Sequence, residues 1–445
     1  MKKTKKIWIG ILVLVSLLII LPFLIPVRTY LNEAEQMAGN KLGVPVTITS
    51  GQLMLLPTPR VLVSGVIIGK QQEIKVEQMS VVPALSSIFS ETKVIDLKVK
   101  RPVIKKSALD IVAAFSARKS EPDSESGVVN IQHITVEELQ LDWPDMKLPM
   151  LNLELDLTSA NKLASARIET PDGNMQANVM PEGDEHSIIV NAEKWISPIG
   201  LPVLIDKAKL EMRLKAEQLQ VSNIDITMYG GKVTGNSNLF WGKNWRMNGK
   251  FKVSDLSVKE PSRMVSKKVY LSGGLSGSGS FSATAKDAAA LADNLHADFR
   301  FNVNNGVLHG LDLVKLASLL TRQTESGGET QFDEFSGVLN VRGKQYGLHD
   351  IKISSGLLAA TGQVKVKPNK ELDGVVEVAL KKGVSLAAIP LQVSGTVDKP
   401  VVLPTKAALA GAVAGTAILG PGLGTSLGIK AGGAVDKFKG LFQSK

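Results

Sequence analysis

Apolar and polar residues alternate strictly along much of this chain. In LNLELDL, Leu151, Leu153, Leu155 and Leu157 alternate with Asn152, Glu154 and Asp156. In KLEMRLKAE, Leu210, Met212, Leu214 and Ala216 alternate with Glu211, Arg213, Lys215 and Glu217. In KVIDLKVK, Ile95, Leu97 and Val99 alternate with Asp96, Lys98 and Lys100. Successive side chains of a strand point to opposite faces, so each segment predicts a strand with one apolar and one wet face. Such alternation favours antiparallel strands with one solvated side. Leu151, Leu153, Leu155, Leu157, Leu210, Met212 and Leu214 are the candidate lining of an apolar surface. The pattern fits two arrangements equally: an open groove, or an ordinary core sealed under a helix or second sheet.

A shared start recurs: SGVIIG at Ser64, SGVVNI at Ser126, NGVLHG at Asn305, SGVLNV at Ser336 and DGVVEV at Asp373. Ser, Asn or Asp before Gly predicts a turn, and the β-branched residue that follows predicts the next strand. The spacing is too irregular for a strict solenoid. Helical patterns are few: RTYLNEAEQMAGNKL (28–42), SALDIVAAFSARK (107–119), KDAAALADNL (286–295) and GLDLVKLASLLTR (310–322). RKSEPDSESG (118–127) and TESGGETQFDE (324–334) read as loops or linkers. About 16 strands stacked ~4.8 Å apart would make a sheet roughly 75 Å long.

The first residues change the picture from a soluble β protein. MKKTKK precedes an uncharged apolar run from Ile7 to Val27, long enough to cross a bilayer as a helix. No small-residue cleavage site follows it, so it predicts a retained anchor. Lys2, Lys3, Lys5 and Lys6 precede the run and Arg28 follows, which puts the N-terminus in the cytoplasm and the bulk outside. The expected organisation is a basic tip (1–6), an anchor (7–27), an N-terminal unit (28–117), a linker (118–127), a main β-rich body (128–404) and an Ala/Gly-rich helical hairpin (405–445). In that last segment Ala407, Gly411 and Gly415 fall four apart, allowing close helix approach, and Gly420-Pro421-Gly422 breaks it in two. Two readings stand for it. Either it is an interfacial or re-entrant hairpin whose Lys430, Lys437 and Lys439 meet lipid phosphates, or it is a flexible, small-residue helical pair packed on the protein or partly disordered.

Composition then narrows the chemistry. The 445-residue chain has a formal net charge of +10, which suits nucleic acid or an anionic membrane surface alike. Aromatic content of 5% is low for base stacking, and zinc-finger spacing and RNP aromatics are missing, so nucleic acid is not an expected partner. Absence of cysteine excludes disulfides, thiolate metal sites and a thiol nucleophile. The five histidines are scattered without zinc-ligand spacing, and no G-x-S-x-G occurs. Asp142 and Asp145 flank Trp143 at a strand end, and Asp110 and Asp312 sit in helical segments as caps or surface charges. MYGGKVTGNSNLFW, from Met228, invites a phosphate-loop reading that fails: such a loop needs G-x-x-x-x-G-K-[ST] and an immediate helix. Here VTGNSNL alternates like a strand, so Gly230 and Gly231 predict a Gly-Gly hairpin turn. No catalytic residue, cofactor or metal is expected.

Several segments together resemble the AsmA family of bacterial envelope proteins, within the broader AsmA-like group that includes TamB. They are VTITSGQLMLLPTPRVLVSGVIIG (46–69), VEQMSVVPALSSIFSETKVIDLKVKRPVI (76–104), YGGKVTGN (229–236), FNVNNGVLHGLDL (301–313), FDEFSGVLNVRGK (332–344) and IPLQVSGTVDKPVVLP (389–404). The resemblance implies a mainly β body forming an elongated, curled, antiparallel-rich sheet with an apolar groove and a few short helices. It also implies a single-pass tether in the inner membrane, with that body in the periplasm. The implied role is in lipid homeostasis or outer-membrane biogenesis, with membrane lipids, phospholipid or lipopolysaccharide, as partners. The alternative is a scaffold that contacts an envelope protein and influences protein targeting to the outer membrane.

Overall fold

A computed structural model describes residues 27–411, apart from position 57 and the stretches 85–92, 118–128, 145–146, 199–201, 320–326 and 382–387. The chain divides into two compact units, Met1–Pro202 and Val203–Lys445. The described residues hold 21 strands, nine in the first unit and twelve in the second, against the roughly 16 expected.

The first unit contains β1 (Val46–Met54), β2 (Arg60–Ile68), β3 (Ile74–Pro83), β4 (Lys93–Lys105), β5 (Val129–Asp142), β6 (Leu151–Leu157), β7 (Leu163–Glu169), β8 (Met175–Glu182) and β9 (Glu185–Ile196), with helices α1 (Val27–Leu42) and α2 (Ala108–Ala117). Each strand pairs antiparallel with the next, except that β4 and β5 run parallel. A parallel step needs a crossover of a dozen or more residues, and the stretch holding α2 supplies it. The expected boundary at 118–127 therefore falls inside this unit, because β4 and β5 hydrogen-bond across it. α1 is fixed to the sheet edge by polar and apolar contacts: Glu35 accepts the Ile48 amide at 2.6 Å, and Leu31 packs with Ile48, Val63, Val66 and Val76.

The second unit contains β10 (Leu204–Lys215), β11 (Gln218–Met228), β12 (Gly231–Phe240), β13 (Trp245–Ser257), β14 (Tyr270–Ala285), β15 (His296–His309), β16 (Glu329–Arg342), β17 (Gln345–Ser354), β18 (Leu358–Val366), β19 (Leu372–Leu380), β20 (Ile389–Thr396) and β21 (Lys399–Pro404). It also holds α3 (Lys259–Val265) and α4 (Leu313–Leu319). From β10 to β21 every strand pairs antiparallel with its chain neighbour. KDAAALADNL, expected as a helix, forms only a short 3-10 turn over Ala289–Leu291, which lays Leu291 on Ala283 and Ala285. Residues 406–411, at the start of the expected C-terminal hairpin, are helical.

The recurring Gly-Val signature is not a set of turns. Ser64-Gly65, Asn305-Gly306, Ser336-Gly337 and Asp373-Gly374 all lie inside strands, in β2, β15, β16 and β19; Ser126 lies outside the described residues. Gly65 (φ +67°) and Asn305 (φ +50°) take left-handed backbone angles in mid-strand. Arg101, Glu138, Asp255 and Asp350 do the same in β4, β5, β13 and β17, and register shifts accompany most of these positions. Such irregularities bend a strand and increase its twist without ending it. The Gly230 turn also differs from expectation: Tyr229 (φ +49°) and Gly230 (φ +73°) form the two-residue loop between β11 and β12. Gly231 instead opens β12, where a Cβ would sit 2.3 Å from the Leu256 Cα, so glycine is needed there for close strand approach.

Candidate site: an apolar sheet face

Strand register assembles the alternating residues of the first unit into continuous rows. Reading partner to partner from β2 to β9, one row is Val63, Met79, Val99, Val136, Leu153, Ile168, Ala177 and Val190. A neighbouring row runs Val81, Leu97, Ile134, Leu155, Ala166, Val179, Ile188 from β3. Neither row contains a polar side chain. Across β6 the inward positions Leu151 to Leu157 span about 20 Å at ~3.4 Å per residue.

The opposite face is wet. Its matching row is Ser80, Lys98, Thr135, Glu154, Arg167 and Asn178. Glu137 pairs with Lys98, and Arg167 with Glu154 at 3.6 Å. Asp156 accepts the Ser165 hydroxyl and meets His133 Nδ1, both at 2.6 Å. The Ser165 bond first, and His133 second, hold the Asp156 carboxyl below the usual carboxylate range. Lys98 does the same for Glu137.

Burial shows how far the apolar face is covered. Leu31 of α1 closes it over β1–β3. Over β6–β9 the buried apolar residues are Ala166, Ala177 and Ala192, while Leu151, Leu153, Leu155, Leu157, Ile168, Val179 and Ile188 are half-buried. Short side chains are screened by taller neighbours; the tall ones keep contact with water, as they would not beneath a packed layer. In the second unit Leu210, Met212 and Leu214 are half-buried as well. Their register partners Ile224, Val221 and Leu219 continue an apolar face there.

That face then changes character. In β13–β16, phenylalanines lie over glycines of the paired strand: Phe281 over Gly249, Phe251 over Gly279, Phe301 over Gly337 and Phe332 over Gly306. The rings also meet one another, Phe251 with Phe299 at 5.3 Å and Phe301 edge-on to Phe335 at 5.3 Å. Toward β21 the face is sealed. Phe332, Leu358, Val378, Leu391 and Val402 are buried in one cluster with Leu313, Leu316 and Ala317 of α4. The apolar face is thus half-buried in some strands and fully buried in others.

One polar constellation escaped sequence reasoning. His309 Nε2 lies 3.0 Å from Ser272 Oγ, and its Nδ1 2.8 Å from Glu329. Tyr270 stacks on the His309 ring at 4.3 Å, and Arg263 of α3 sits over Tyr270 at 5.5 Å. These side chains come from β14, β15 and β16, and only register brings them together. The Ser–His–Glu order is that of a hydrolase relay. The contacts also link three neighbouring strands, β14, β15 and β16. Among the described residues no group of three or more metal-ligating side chains occurs. Nor is any described helix long and apolar enough to cross a membrane. The anchor expected over 7–27 lies outside the described residues except for Val27, and so do Lys430, Lys437 and Lys439.

A model of the AsmA family matches residues 190–343, from the middle of β9 to the β16–β17 turn, and supports assignment to that family. No curated protein and no solved structure matches the chain.

Proposed function

We propose that this AsmA-family chain is a non-enzymatic envelope protein that holds or moves phospholipid, its acyl chains lying on the apolar sheet face. In this reading residues 7–27 tether it to a bacterial inner membrane with the N-terminus cytoplasmic. The β-rich bulk works in the periplasm, in lipid homeostasis and outer-membrane biogenesis. The observation that carries the proposal is the pair of unbroken apolar rows on β3–β9, left half-buried by their own fold. An uncovered apolar strip this long is unfavourable in water and normally marks a binding surface. Aliphatic side chains without a charge suit hydrocarbon, and the lysines and arginines of the wet face and loops suit phosphate head groups.

Adjacent residues on opposite faces provide the test. A benzoylphenylalanine placed at Leu153 in the full chain in cells should crosslink phosphate-labelled lipid, and one at Glu154 should not. Equal labelling at both, or none at either, overturns the proposal. A lipid-free result together with a stable co-purifying protein would favour a scaffold role through strand addition at β21, for which β20 is the one strand with a register pairing among the described residues.

A further inference from the structure

We infer that α4 is a fixed stop, ending the lipid-accessible part of the second unit's apolar face before β15, where Phe301 and Val303 already belong to the buried cluster. This inference rests on the lipid-binding reading and adds a boundary to it. On the near side, Leu210, Met212, Leu214 and Val221 are half-buried and uncovered enough to meet an acyl chain. On the far side, Leu358, Val378 and Leu391 have 0% of their surface exposed. Interiors are packed at crystal-like density, so a hydrocarbon chain cannot enter that cluster without displacing side chains already there.

The helix that completes the cluster is tied down at its start. Leu313 donates its amide to Thr330 Oγ1 at 2.8 Å, and the Thr330 hydroxyl donates in turn to the Leu311 carbonyl at 2.7 Å. Thr330 is buried and both of these bonds are internal, so freeing the helix would strand polar groups out of water. Asp312 caps the first turn by accepting the Lys315 amide at 2.8 Å. Leu316 and Ala317 then project into the cluster, and α4 packs on β16 and β19. Sequence reading had assigned GLDLVKLASLLTR only its helicity. Its place as the cover of β16–β21 follows from burial.

The deciding experiment uses the full chain reconstituted in vesicles of phosphatidylethanolamine and phosphatidylglycerol containing a phospholipid with a diazirine in its acyl chain. After irradiation, modified peptides are mapped by mass spectrometry. The expected result is adducts on inward residues of β10–β14, and in the first unit, with loss of label across β17–β21. Adducts at Leu358, Val378 or Leu391 while those in β10–β14 persist would overturn the stop and leave lipid binding standing. Absence of adducts everywhere would remove both. A folded Leu316→Ala variant should carry label onward into β16–β19, and a labelling pattern unchanged from the parent would count against α4 as the barrier.

Discussion

The ring of Phe281 folds over Gly249, its register partner on β13, so closely that a Cβ on Gly249 would lie 2.5 Å from the ring. The same Cβ would also lie 2.5 Å from the Asn236 carbonyl oxygen. Backbone on one side and an aromatic ring on the other leave no room to give. Gly249→Val should therefore destabilise the protein by about 1–3 kcal/mol or more, as overpacking does. Urea denaturation followed by tryptophan fluorescence would measure it, and an unchanged midpoint would refute the packing account.

Leucines on the two kinds of apolar surface should respond differently to truncation. Leu391, fully buried beneath the α4 cluster, should cost about 2–5 kcal/mol as Leu391→Ala. Leu153, half-buried on β6, should cost less than about 1 kcal/mol as Leu153→Ala, because much of its surface already meets water. Similar losses at both sites would show that the β6 face is covered too.

A charge on the open face separates binding from folding. Leu153→Lys should abolish lipid co-purification with a circular-dichroism spectrum and melting temperature close to the parent. Glu154→Lys, on the wet face, should retain lipid. Global unfolding of Leu153→Lys would place Leu153 in a sealed core, where an unpaired charge costs several kcal/mol.

The wet face predicts an acid sensitivity. Asp156, Glu137 and Asp298 are held below the ordinary carboxylate range by Ser165, Lys98 and Asn340 respectively, with further cationic neighbours adding to each. A carboxylate depressed in the fold contributes stability above its unfolded pKa of about 4, lost as pH falls through the folded value. These groups are exposed, so each contribution is small. Melting temperature should decline as pH drops below about 4, and Asp156→Asn should flatten part of that decline. An identical pH profile in the variant would show that the Ser165–Asp156–His133 contacts do not contribute.

Ser272→Ala should leave lipid crosslinking intact and cost little more than one exchanged hydrogen bond, roughly 0.5–1.5 kcal/mol. Covalent capture of Ser272 by a fluorophosphonate, lost in His309→Ala, would instead show a reactive serine and contradict a non-enzymatic protein.

Much of the fold was legible because alternation is a local signal. Leu151–Leu157 and Leu210–Leu214 identified their strands and inward faces without any neighbour. What stayed hidden depends on partners. The Asn305-Gly306 pair carries the composition of a turn, yet β15 continues through it because β14 and β16 pair on both sides. β4 and β5 read as parts of separate units, since nothing local tells that residues 129–142 return to run parallel to 93–105. In LSGGLSGSGSFS, Gly277 and Gly279 make room for Phe299 and Phe251 from neighbouring strands, which the composition of one strand does not tell. Open and sealed faces share one alternation, and only covers from elsewhere in the chain, such as Leu31 of α1 and Leu316 of α4, distinguish them.

Pairing strictly between chain neighbours has an evolutionary consequence. A hairpin inserted between β10 and β21 would lengthen the sheet by two strands and preserve the direction of every strand after it, and a deleted hairpin would shorten it as simply. A single added strand would reverse all that follow and move their loops to the opposite rim. The parallel β4–β5 step is such a reversal, absorbed once by a crossover. Length variation among relatives should therefore come in pairs of strands, with odd changes confined to places where a helix-bearing connection can carry the chain back.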